Sequence, residues 1–327
     1  MNSTMRASWI ARLAGAFAAM IAALPAAAQA PAYPTKPVRF VVPLAAGGGA
    51  DTFARFLARP LTQQLGQQVI VENRPGASGV IGGQHVVQSA PDGYTLLIAG
   101  TGQLVASLVQ KKIDLERDFT PIAIAMDQQY LLVVHPSLPV RSVAEFIKFV
   151  RARPGQVVYA SAGMGSAGHI AMELLREAMA VEMLHVPYKG AGAALADVVA
   201  GQVPIIFSSP LGTLPLVRAG RLRPLAVSGT KRMEALPEVP TASEAGVTGF
   251  ATAAFLGLLG PVGLPREVVN RLSAETVAVM QRPESREWLL KQGAEPNPGG
   301  PEQLSERIRS DLARMGKLLR DMNLKLN

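Results

Sequence analysis

Short β-prone apolar runs alternate with stretches of helical spacing along most of the chain, in two successive blocks. In the first block, residues 38–44 (VRFVVPL) read as a buried strand. The glycine loop of residues 45–50 follows, and Asp51 stands where a helix N-cap belongs. Phe53, Phe56, Leu57, Leu61 and Leu65 then keep helical spacing until Gly66. Residues 68–72 predict a second strand, 79–89 a helix and 95–99 a third strand; a short helix or turn runs from Thr101 towards Val109. Strand and helix in alternation predict an α/β sheet with right-handed crossovers.

At residues 122–126 and 130–134 two apolar runs come with no long helix between them, so the first crossing between domains is expected there. A second block begins with a helix at 142–151. Strands at 157–160, 184–187, 204–207 and 222–227 then alternate with helices at 167–180, 191–200 and 212–219. An irregular Pro-containing connection around Leu236–Pro240 leads to a long strand, 250–259, which returns to the first block. Helices follow at 266–281, 284–292 and 301–322; Leu304, Ile308, Leu312, Met315 and Leu319 form one apolar stripe that packs on the core. The expectation is a pair of α/β domains around a cleft with two crossover connections: residues 31–127 and 250–327 form domain 1, and 128–249 form domain 2. Ligands of open α/β sheets bind outside the C-terminal strand ends. Both glycine loops, 45–50 and 161–168, fall at such ends and are expected to face each other.

Composition adds an address. Residues 1–30 carry Arg6 and Arg12, then an apolar stretch, then Ala28-Gln29-Ala30, the pattern of a secretory signal peptide cleaved near Ala30. The alternative is an N-terminal anchor, disfavoured by the short apolar stretch that Arg12 interrupts. The chain has no cysteine, so an exported form holds no disulfide and relies on its core, which 327 residues at 49% hydrophobic content can supply. Periplasmic localisation is expected. The net charge is +8, less the two arginines of a cleaved leader. The basic residues are scattered and aromatics make up 5%, which argues against nucleic acid and for small anions.

Candidate chemistry centres on residues 157–169 (VVYASAGMGSAGH). Gly163-x-Gly165-x-x-Gly168 has the form of a dinucleotide-binding turn. The next strand lacks the acidic residue that holds a ribose: it ends in Tyr188-Lys189-Gly190. The first glycine loop lacks the Gly-Lys-Ser/Thr ending of a nucleotide loop. No cofactor is expected. No serine sits in a G-x-S-x-G, no two of His85, His135, His169 and His185 are spaced i,i+4, and no metal or catalytic group is assigned. What survives is anion binding by backbone N–H groups at helix starts.

Several blocks resemble the tripartite tricarboxylate transporter substrate-binding proteins, the TctC or Bug family. They include Val42-Pro43 with Gly47-Gly48-Gly49-Ala50-Asp51, Glu72-Asn73-Arg74-Pro75-Gly76-Ala77 and Ala90-Pro91-Asp92-Gly93-Tyr94-Thr95. Asp118-Phe119-Thr120-Pro121-Ile122, His185-Val186-Pro187-Tyr188-Lys189-Gly190 and Gly257-Leu258-Leu259-Gly260-Pro261 continue the series, in order along the chain. The resemblance implies a type II periplasmic binding-protein fold, a small carboxylate ligand (a di- or tricarboxylate or an aromatic acid), and membrane transporter subunits as partners, with a monomeric chain. A sensor partner is the alternative, and an exported hydrolase or isomerase a more distant one. Carried across, the ligand contacts are Ala46, Gly47, Gly48 and Asp51 on one wall. Ser161, Gly163, Gly165, Ser166 and His169 form the other; Thr101 and Gln103 lie at the third strand end, with Tyr188 and Ser208 beside them. The sequence departs from the family pattern at Ala45-Ala46, in the short segment after Thr101, and at Phe207-Ser208-Ser209, where an Asp is common. Ser208 cannot pair with an ammonium, so the ligand is expected to lack an amino group.

Overall fold

The structure, a computed structural model, describes residues 33–321; the leader pattern lies outside them. Its strands are β1 (Val38–Val42), β2 (Val69–Asn73), β3 (Thr95–Gly100), β4 (Phe119–Gln129), β5 (Leu131–Val134), β6 (Val158–Ser161), β7 (Leu184–Pro187), β8 (Ile205–Ser208), β9 (Arg223–Val227), β10 (Ala253–Pro261) and β11 (Ala294–Gly299). The helices are α1 (Gly49–Leu65), α2 (Val80–Val87), α3 (Thr101–Gln110), α4 (Val143–Arg151), α5 (Ala167–Met179), α6 (Ala191–Val199), α7 (Pro210–Arg218), α8 (Arg266–Gln281), α9 (Pro283–Lys291) and α10 (Pro301–Asp321).

The strands assemble into two sheets, ordered β11–β4–β10–β3–β1–β2 and β7–β6–β8–β5–β9. Each combines a parallel part with antiparallel strands. β1 pairs in parallel with β2 and β3, while β10 runs antiparallel to β3 and β4. β6 pairs in parallel with β7 and β8, while β5 runs antiparallel to β8 and β9. All six residues of β3 are buried, as a strand covered on both faces requires. β5 reads Leu-Leu-Val-Val, and its alternate side chains feed separate clusters. Leu132 and Val134 join Phe146, Tyr159 and Phe207, whereas Leu131 and Val133 join Leu195, Val198 and Leu214.

Two connections join the sheets. Tyr130 alone separates β4 from β5, and residues 228–252 lead from β9 back to β10. Ser228 ties the two connections together. Its Oγ accepts from the Tyr130 N–H at 2.8 Å and donates to the Thr252 carbonyl at 2.6 Å, and its own N–H donates to the Tyr130 carbonyl at 2.9 Å.

The structure differs from the sequence expectations in four places. Asp51 does not cap α1; Gly48 does, and Asp51 lies in the first turn with its carboxylate turned back. The helix expected over 79–89 spans Val80–Val87 and is preceded by a 3-10 turn, Ala77–Gly79, in which Ser78 has a φ of 54°. β10 starts at Ala253, because Phe250 is drawn into the second sheet's core, 5.9 Å from the Phe207 ring. β11 (AEPNPG) had no apolar alternation to betray it. With two prolines it is an edge strand, formed because β4 offers an open pairing edge.

Candidate ligand-binding site

A cavity of about 70 Å³ lies between the sheets, where their strands run out into helices. Helix starts surround it. α1 contributes Gly49 and Ala50, α3 contributes Thr101, Gly102 and Gln103, and α5 contributes its cap Ser166 with Ala167 and Gly168. Ala191 opens α6, and Ser208 and Ser209 precede α7. Leu44, Tyr130, Phe207, Phe255 and Leu256 supply apolar wall; Ser78, Gln128 and Ala162 complete it. None of these lining side chains is charged.

The first-turn N–H groups of a helix have no acceptor within it. Here most of the donors just outside those turns are already satisfied by side chains. Asp51 accepts the Gly47 N–H at 3.0 Å, Gln103 Oε1 the Gly100 N–H at 3.1 Å, and His169 Nδ1 the Gly165 N–H at 3.0 Å. Ser161 Oγ accepts the Gly163 N–H at 3.0 Å, and the Ser166 hydroxyl accepts from the His169 N–H at 3.3 Å. In three of these, a side chain in the first turn reaches back to a glycine just before it. The loop is held by its own helix, and the N–H groups of Gly49, Ala50, Gly102, Ala167 and Gly168 stay available at the cavity, at the positive ends of helix dipoles.

The expected site residues fall into two groups. Thr101, Gln103, Ser166 and Ser208 line the cavity. Thr101 Oγ1 accepts from the Phe255 N–H at 3.1 Å, fixing the start of α3 to β10. The others stand behind or beside it. Ala46, Gly47 and Gly48 close on the segment before α6: the Ala45 N–H donates to the Lys189 carbonyl at 3.3 Å, and a Cβ on Gly48 would meet the Ala191 Cβ at 3.3 Å. Asp51 also accepts from Arg55 and from Asn73 Nδ2, each at 3.0 Å. Burial would raise its pKa, but hydrogen bonds from Arg55, the Gly47 N–H and Asn73 outweigh it and hold the carboxyl below its usual range.

Ser161, Gly163, Gly165 and His169 form the framework behind the α5 start. Gly163 has a φ of 129° and lies against Ser78, whose hydroxyl donates to the Met164 carbonyl across the cleft. The two glycine loops thus reach one cavity, while each is closed by a different segment opposite. Tyr188 turns away; its hydroxyl donates to Asp197 at 2.7 Å, and burial with the Asp197 carboxylate pushes its pKa up to about 12. It lines an outer groove of about 520 Å³ with Gly163, Lys112 and Lys189.

Gln128, Tyr130 and Ser209 are lining residues that sequence reasoning missed. Ser209 Oγ donates to Gln128 Oε1 at 2.5 Å, joining the start of α7 to β4. The polar run Asp127-Gln128-Gln129 interrupting an apolar strand was the available signal.

A larger hollow, about 800 Å³, lies between β11, α9, α10 and residues 229–234. Several of its charges are paired with one another. Arg307 pairs with Asp127 at 2.6 Å and Asp311 at 3.0 Å, Arg314 with Asp311 at 2.9 Å, and Lys231 with Glu295 at 3.0 Å. Helix starts do not converge on it, so it is the poorer anion site. Among the described residues no His, Asp or Glu cluster could hold a metal, and no helix is long and apolar enough to cross a membrane.

Residues 53–324 match the family model for the tripartite tricarboxylate transporter family receptor. The UPF0065 protein in the tcbD-tcbE intergenic region of Pseudomonas sp. (strain P51) is 37% identical over 318 residues, 96% of this chain and 95% of that one. Among solved structures, R. palustris Rpa4515 with adipate superposes with a TM-score of 0.86 at 36% identity, covering 89% of this chain and 98% of that one. The periplasmic binding protein BugD gives a TM-score of 0.86 at 32% identity, covering 89% and 99%.

Proposed function

The chain belongs to the tripartite tricarboxylate transporter receptor family, and on that premise we propose that it is a periplasmic solute-binding protein that captures a small carboxylate lacking an amino group. The observation that carries the reading is the convergence of the α1, α3 and α5 N-termini on one closed, uncharged cavity. Backbone N–H groups at helix starts stabilise an anion without a salt bridge. The aromatic and leucine walls suit a carbon chain, and the lining holds no carboxylate to neutralise an ammonium. The cavity is large enough for several waters, the scale of a small organic acid. Adipate in the similar Rpa4515 is of that class.

Capture follows a clamshell path in this reading. Residues 31–127 and 250–327 form one lobe, residues 128–249 the other, and the chain acts as a monomer. The lobes turn about Tyr130 and Ser228, and closure brings Gly47 and Gly48 onto Gly190–Gly192 and Ser78 onto Met164. Residues 1–30 are removed as a signal peptide near Ala30, and the closed form delivers its ligand to membrane transporter subunits.

Catalysis forms no part of this function. Ser161 Oγ lies 2.6 Å from His185 Nε2, which in isolation resembles a nucleophile and its base. With the hydroxyl proton given to the Gly163 carbonyl at 3.1 Å, the tautomer assigned to His185 donates its Nε2–H to Ser161 and does not serve as its base. Ser161 is 1% exposed and lies outside the cavity lining.

A thermal-shift screen of carboxylic acids on protein refolded from denaturant tests the proposal. A ligand at a hundred times its Kd adds about 2.7 kcal/mol to stability, a clear rise in Tm. No shift with any acid, or tighter binding of an amino acid than of its deaminated counterpart, would refute it.

A further inference from the structure

A buried histidine and a half-buried one lie behind the cavity wall, and neither lines the cavity. His169 on α5 and His185 on β7 stack with ring centroids 3.9 Å apart and planes 17° apart. The Tyr159 ring of β6 stacks on His185 at 5.0 Å. Each imidazole holds one part of the loop between β6 and α5. His169 Nδ1 accepts the Gly165 N–H, and His185 Nε2 bonds the Ser161 hydroxyl, which accepts the Gly163 N–H.

We propose that His169 and His185 are positioning residues of the ligand site: as neutral imidazoles they set the Ser161–Ser166 loop, and through it the α5 first turn that faces the ligand. The ligand part of this inference rests on the function proposed above.

The hydrogen bonds assign both tautomers. A nitrogen that accepts from Gly165 carries no proton, so His169 is protonated on Nε2, which faces Glu173 Oε1 at 4.0 Å. His185 donates through Nε2, leaving its buried Nδ1 as an acceptor with no partner among the described residues. The opposite tautomer would bury an unpaired donor instead, and Ser161 would then offer one proton to two acceptors.

A proton on either ring undoes this arrangement. On His169 it sets Nδ1–H against the Gly165 N–H, donor against donor; on either ring it puts a cation in a buried stack. The charged and titratable groups facing the pair are Tyr159 on β6 and Glu173 and Arg176 on α5. The Tyr159 hydroxyl donates to Glu173, and Arg176 pairs with both Glu173 oxygens at 2.7 and 2.6 Å. Glu173 is thereby occupied and gives little support to an imidazolium. Burial pushes both histidines down to about 4; the Glu173 charge opposes the shift, and Arg176 adds to it for both.

Side-chain geometry supplies clean variants. Asn Oδ1 occupies the place of His Nδ1, and Gln Nε2 that of His Nε2, without a titrating ring. His169→Leu keeps bulk and removes the acceptor. Two measurements read the result: amide hydrogen exchange at Gly165 in the ligand-free protein, and adipate affinity between about pH 7 and pH 4.5. Removing the acceptor of a buried N–H costs about 1–3 kcal/mol, so His169→Leu should speed Gly165 exchange and weaken adipate about tenfold or more. His169→Asn should restore both. Adipate's own carboxyls titrate in this window for every variant, so the wild-type affinity should fall more steeply towards about pH 4 than that of the double variant His169→Asn/His185→Gln.

Wild-type exchange at Gly165 in His169→Leu, or an unrescued His169→Asn, would overturn the proposal. If His169→Leu does not fold, His169→Asn and the double variant's pH profile decide it. Wild-type protein that binds no acid would count against the proposed function alone, because the exchange measurement needs no ligand.

Discussion

At the scale of single residues, the cavity depends on positions where a side chain is missing. Gly192 has ordinary helical backbone, yet a Cβ there would run into the Ala46 carbonyl oxygen of the first glycine loop. The constraint therefore belongs to the packing of α6 on that loop and not to the local chain. On the proposed clamshell reading, in which the ligand-free lobes stand apart, Gly192→Ala should leave the Tm of ligand-free protein unchanged or slightly raised, since alanine favours helix. It should weaken ligand binding by at least about tenfold, roughly 1.4 kcal/mol, because closure becomes strained. Isothermal titration beside thermal melts would check it; equal loss of stability and affinity would count against closure. No reading of the sequence could single out Gly192 from the glycines around it, because the clash partner lies about 146 residues away in the chain.

At the scale of elements, the two connections between the sheets meet at Ser228. Its hydroxyl satisfies the buried Tyr130 N–H and binds Thr252, so both connections between the sheets share one small polar group. Ser228→Ala leaves that N–H without its partner and should destabilise the protein by about 2 kcal/mol, measured by urea unfolding. Most of the element order was legible because most strands and helices carry their own apolar run or period; the run of β5 and the stripe of α10 are plain examples. β11 was not, because its pairing comes from the open edge of β4 and not from its own residues. The start of α1 was misplaced for a related reason. Asp51 has a capping residue's chemistry, but its carboxylate turns back to Gly47 and also binds Arg55 and Asn73, the last supplied by β2.

At the scale of the whole molecule, the histidine pair couples the site to stability. Both imidazoles have folded pKa values of about 4, against 6.5 when unperturbed. The unfolded chain therefore binds protons first as pH falls, and protonation draws the equilibrium towards it. Their contribution is fully present above about pH 6.5 and is lost as pH falls from there through about 4. Thermal melts across that window should show Tm declining before the carboxylates titrate. A flat Tm down to about pH 4.5 would contradict the neutral state of the pair.

The sequence by itself determined the alternation of strands and helices, the apolar runs that fill both sheets, and the glycine-rich turns at strand ends. These are local properties: periodicity, turn chemistry and backbone freedom act within a few residues. It also pointed to an anion held without a charged partner, since those turns lie at helix starts. Only the tertiary structure decided which residues form the cavity. Thr101 and Ser208 are drawn to it, whereas Gly47, Gly163 and His169 are drawn behind it. The physical reason is that each such glycine N–H has one proton to give. Whether a neighbouring side chain or a ligand receives it depends on where Asp51, Ser161 and His169 point once the sheets have packed.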